Sequence, residues 1–181
     1  MLISREKKQN NIAEYILYMW QVEDMIRANN FDIRKIEQNI INQYQQPETV
    51  KKEIKLWYEQ LLSLMIQEKV VSRGHLQFLR NQIFDLLDLH LYLMGSPFEM
   101  KYQSKYNKAL PYIKEYKEKL MGAAENEIDV CFHGLYAWLL MRLRKAPIST
   151  HTEDAFKSFS ELLAVLSQRY HEREVDELKI Y

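Results

Sequence analysis

Apolar residues recur at alternating steps of three and four along most of the chain, and its four glycines and four prolines fall mainly where one such stretch ends and the next begins. That period belongs to helices buried on one face. The period-two alternation that strands require persists over no useful length. A first helix is predicted from about Ser4, a suitable N-cap, to Ala28, with "ANNFD" breaking it and Asp32 capping a short second helix. Pro47 suits the first turn of a third, whose inward stripe is Val50, Ile54, Trp57, Leu61, Leu64 and Met65. "SRGH", Ser72 to His75, marks a bend, after which a fourth helix reaches Met94 and stops at Gly95.

"SPFE", Ser96 to Glu99, sets a capping serine, a proline and a glutamate in capping-box order, so a fifth helix is expected to open there and to end at Gly122. A sixth occupies about Glu125 to Lys145 and is stopped by Pro147. Thr150 with Glu153 reads as a second capping box, opening a last helix with Ala155, Phe156, Phe159, Leu163, Leu166 and Tyr170 on one face. The expected fold is all-α: an irregular, mostly antiparallel bundle of six or seven helices forming a single domain over residues 1–181.

Composition narrows the function classes. With 47% hydrophobic and 28% charged residues the chain is globular in character, and 25 basic against 25 acidic residues leave no net field to draw in nucleic acid or an anionic membrane. A lone cysteine, Cys131, excludes an intrachain disulfide and a cysteine-built zinc site, and its apolar setting reads as a small buried hydrophobe. The charged start "MLISREKKQNN" is unlike a signal peptide, and Val130 to Met141, the most apolar window, is too short to span a bilayer. A cytoplasmic protein without a membrane segment is expected.

Five polar residues stand out because their helical positions place them among apolar neighbours. In "IFDLLDLHLYLMG", Ile83 to Gly95, the two aspartates align with Gln77, Asn81 and Tyr92 as a solvated edge, whereas His90 falls amid Leu79, Ile83, Leu86, Leu87 and Met94. A buried imidazole there needs a hydrogen-bond partner. Glu23 and Arg27 lie on the inward side of the first helix in the order that favours an i,i+4 ion pair. In the sixth helix, apolar on nearly every side and therefore expected to be enclosed by others, Asp129 and His133 sit four apart with Asn126 near the same line. Gly134 beside them offers packing clearance or ligand access. Glu23, Arg27, His90, Asp129 and His133 are thus the candidate polar-core or ligand site.

No catalytic residue is assigned. The spacings of di-iron carboxylate bundles, HExxH, phosphate loops, dinucleotide fingerprints and nucleophile elbows are all missing, so no cofactor is implied and the identity of any metal stays open. "KYQSKYNKALPYIKEYKEK", Lys101 to Lys119, interleaves lysine with tyrosine. Tyr102, Tyr106, Ala109, Ile113, Tyr116 and Leu120 nevertheless share an inward face, which leaves only the basic line Lys101, Lys105, Lys108 and Lys119 and disfavours nucleic-acid binding. The abundance of tyrosine, tryptophan and methionine points first to a non-enzymatic protein acting through protein contacts, as a homo-oligomer or with another partner. The alternative is a small-molecule or metal-binding bundle with a polar site in its core.

The segment "IAEYILYMWQVEDMIRANNFD", Ile12 to Asp32, resembles the opening of an uncharacterised bacterial family of all-helical proteins of about this length, and the resemblance extends along the chain. It implies an all-α cytoplasmic protein. It carries no activity and no functional residue.

Overall fold

The structure is a computed structural model that describes residues 10–178, with side chains to residue 175. Among these residues it is all-α. Helix α1 spans Ile12–Ala28, α2 Ile33–Asn39, a 3-10 turn Ile41–Gln43, α3 Glu48–Gln67, α4 Gln77–Gly95, α5 Met100–Lys119, α6 Glu127–Leu143 and α7 Thr150–Leu178. No strand occurs among the described residues, and none of their helices is long and apolar enough to cross a membrane. The chain groups into two compact units, one containing Glu14–Asn81 and the other Asn10–Ala13 with Gln82 onward.

In the first unit, α1 buries Ile16, Met19, Trp20, Val22 and Ile26. It ends in a turn where Asn30 and Phe31 both take left-handed backbone angles. Asp32 then caps α2 as its sequence predicts, accepting from Arg34 N. Pro47 is the residue before α3 rather than within its first turn, and α3 buries Ile54, Tyr58, Leu61 and Met65. The predicted N-cap Ser4 lies outside the described residues.

In the second unit, α5, α6 and α7 pack against one another. Inward residues of α7 are Phe156, Phe159, Leu162, Leu163, Leu166 and Tyr170. Gly134 provides the close crossing of α6 and α7, since a Cβ there would lie 2.6 Å from the Phe159 ring. It is a packing position. Helix α6 is enclosed only in its first half: Ile128 to Phe132 are buried, Leu135 to Met141 are half-exposed, and Leu143 is exposed. The uniform apolarity of that helix therefore does not mean uniform burial.

Both capping boxes are displaced. Helix α5 begins at Met100, not at Pro97, because Glu99 turns its carboxylate to Arg169, 3.1 Å from Nε, instead of back to the Ser96 backbone. The Gln103 amide fills the gap by donating to the Leu93, Met94 and Ser96 carbonyls, which closes the end of α4. At α7 the capping oxygen is that of Ser149, one residue earlier than expected, accepting from Thr152 N at 3.2 Å, while Glu153 reaches forward to Lys157. Local box patterns lose here to partners that suit the side chains better.

Candidate functional site

The three polar anomalies of the sequence resolve in different ways. In the first unit Glu23 is fully buried on α1. It does not pair with Arg27. One carboxylate oxygen accepts from Leu76 N at 2.8 Å and the other meets His75 Nδ1, while the His75 ring stacks on Trp20 at 3.9 Å and 8°. Arg27 bonds Asp24, three residues back, at 2.8 Å and donates to the carbonyls of Val70 and Gly74. Gly74, at φ +83°, supplies the left-handed angle that this turn needs. Glu68 accepts from Gln77 N at 2.6 Å, so Glu23 and Glu68 both serve the N–H groups at the start of α4. The α3–α4 loop is clasped onto α1 by two side chains. The predicted ion pair does not form, because Glu23 takes the Leu76 N–H and the His75 imidazole while Arg27 takes Asp24 and two loop carbonyls.

In the second unit His90 lies on the inner face of α4, 3% exposed. Its Nδ1 is 2.7 Å from the Tyr102 hydroxyl of α5, and its ring is 4.8 Å from that of Tyr106. Burial pushes the Tyr102 hydroxyl well above its ordinary pKa, so it keeps its proton. That proton has no other acceptor among the described residues and is donated to His90 Nδ1. Burial also lowers the His90 pKa, against the opposing pull of Glu127. The neutral ring, accepting at Nδ1, therefore carries its own proton on Nε2.

Nε2 has no hydrogen-bond partner among the described residues, yet it is not one of the enclosed, partnerless atoms. The ring lines an open cavity of about 430 Å³. Leu87, Leu91 and Met94 of α4 form the apolar wall, and Tyr106, Lys117, Asn126 and Glu127 line the rest. Tyr106 donates its hydroxyl proton to Glu127 Oε2. Asn126 is the N-cap of α6, its Oδ1 accepting from Asp129 N at 2.9 Å, and this use of one end leaves the enclosed Nδ2 without an acceptor.

Of the five residues singled out from sequence, Glu23 and Arg27 meet in the loop clasp and His90 alone lines the cavity. Asp129 and His133 lie outside it. Asp129 Oδ2 accepts from Glu125 N at 2.9 Å, making it part of the α6 N-terminus, and His133 Nε2 stands 3.7 Å from Asp129 Oδ1, beyond ordinary hydrogen-bond length. Among the described residues no group of three or more His, Cys, Asp or Glu side chains could hold a metal ion. Cys131 is fully buried, and burial raises its thiol pKa. Of the basic line, Lys105 and Lys108 both reach Glu161, and Lys119 reaches Glu115.

A family model matches residues 1–177. The chain belongs to the family described as Domain of unknown function DUF4924. No curated protein and no solved structure gives a significant match. The family description assigns no activity, so the cavity must be interpreted from its own chemistry. Sequence reasoning missed His75, which sat in a turn motif, and gave no role to Lys117 and Glu127. It placed Tyr102 and Tyr106 on the inward face of α5 without supplying their partners.

Proposed function

We propose that this member of the DUF4924 family is a binding protein whose functional centre is the His90 cavity, taking a small molecule rather than a metal. A single observation carries the reading: a nearly buried imidazole, its tautomer set by Tyr102 and its N–H without a partner among the described residues, lines a cavity of about 430 Å³. Polar groups buried for structure alone are paired within the protein, and pockets of roughly 300–1,000 Å³ with apolar walls and a few placed polar groups are typical of small-molecule sites. Imidazole-resolved NMR on the full chain tests it. Small organic probes should move the His90 resonance saturably, and a His90 signal indifferent to every probe would count against the site.

A second reading, contact with another copy or a protein partner, draws on exposed apolar side chains concentrated within ten residues: Leu91 at 59%, Tyr92 at 72%, Phe98 at 89% and Met100 at 73%. Light scattering at micromolar concentration should then report a species larger than the monomer, reduced by Phe98→Ser. A clean monomer would remove self-association. The lone buried thiol accords with a reducing, cytoplasmic setting.

A further inference from the structure

We propose that the ligand of the His90 cavity is a small amphipathic carboxylic acid, its carboxylate taken by the His90 and Lys117 donors and its apolar body laid against Leu87, Leu91 and Met94. The inference rests on the cavity being a ligand site and adds the ligand's chemical class.

The argument is one of hydrogen-bond supply. Two side chains of the lining carry donors without an acceptor among the described residues: the His90 Nε2–H and the exposed Lys117 ammonium, which makes no ion pair there. One acceptor, Glu127, faces them, and the Tyr106 hydroxyl already occupies one of its oxygens. A guest with two acceptor oxygens and no donor complements this set, while a guest rich in donors would compete for Glu127 and leave both donors unanswered. A carboxylate is such a group. The His90 ring is neutral, so it offers direction rather than charge, and Lys117 supplies the one positive charge of the lining. With one cation set against the one carboxylate of Glu127, the lining suits a singly charged anion better than a doubly charged phosphate ester. The leucine and methionine wall adds the demand for an apolar body, and Met94 can adapt to its shape.

The test titrates full-length protein, with its imidazole nitrogens labelled, with octanoate, 1-octanol and octylammonium in parallel. Octanoate should shift the His90 Nε2 resonance saturably and bind more tightly than either analogue. Lys117→Gln, at an exposed position, should weaken octanoate by about five-fold and leave octanol unchanged. If octanol or octylammonium moves His90 as well as octanoate does, or if Lys117→Gln leaves the octanoate affinity unchanged, the carboxylate assignment is overturned while the cavity remains a site. If no probe moves His90, both fall.

Discussion

Glu23 and His90 make the instructive comparison. Each is a titratable side chain on the inner face of an amphipathic helix, and each is nearly or wholly removed from water. Around Glu23 both oxygens are used, by Leu76 N and His75, and Arg27 closes the same loop through Val70 and Gly74. Around His90 one nitrogen is fixed by Tyr102 and the other is left to a cavity. A buried polar group whose bonds are all internal holds a fold together. One with a bond to spare, facing open volume, is available for a ligand.

The comparison predicts unequal costs. Glu23→Ala should have the largest effect on stability, about 3 kcal/mol, because it strips a buried N–H and an imidazole of their acceptor, and urea denaturation would measure it. A loss below about 1 kcal/mol would show that the clasp is not structural. Arg27→Met keeps the length of the side chain but leaves two loop carbonyls without their donor. It should cost about 1–2 kcal/mol and make the backbone around Val70 to Gly74 exchange amide hydrogens faster.

On the other side of the comparison, Tyr102→Phe should cost only about 1 kcal/mol. Its sharper effect is chemical: with no hydroxyl to hold Nδ1 as acceptor, the His90 proton is no longer confined to Nε2, and imidazole nitrogen shifts should show a mixture of tautomers. Retention of a pure Nε2–H ring would break the Tyr102 argument.

The pH response follows from the sign of the His90 shift. Its pKa in the folded protein lies below the ordinary 6.5, chiefly through burial and despite Glu127, so below that value the unfolded chain binds the proton more readily. Stability present above pH 6.5 is therefore lost as the pH falls through the window down to the lowered folded value, and levels off beneath it. Tyr102 and Tyr106, which also face the ring, stay protonated throughout this window, their pKa values being raised by burial. The difference in stability between wild type and His90→Gln, compared at pH 7.5 and 5.5, isolates the term. It should move against the wild type on acidification. Smallest of all, Lys117→Gln should leave thermal stability unchanged while altering octanoate binding, since it lies exposed at the cavity and pairs with nothing there.

Much of this was legible along the chain. Periodicity marked the helical segments, Asp32 was recognised as a cap, and the polar edge of α4 carrying Asp85 and Asp88 is exposed as expected. The same local logic misled at Ser96 and Thr150, where capping boxes were readable but Glu99 and Glu153 found other partners. It also misled at Glu23 and Arg27, an i,i+4 pair by spacing, which turned instead to a loop some fifty residues on.

Periodicity settled the helices, most of their limits to within a few residues though not the start of α1 at Ile12, and the face on which His90, Tyr102 and Glu23 sit, because a helix of 3.6 residues per turn ties position to direction. Tertiary structure alone decided what those faces meet. The clasp of Glu23 on His75, the bond that fixes the His90 tautomer, and the cavity beside it each join residues from different elements. Such meetings depend on how the helices approach one another, which no local period encodes.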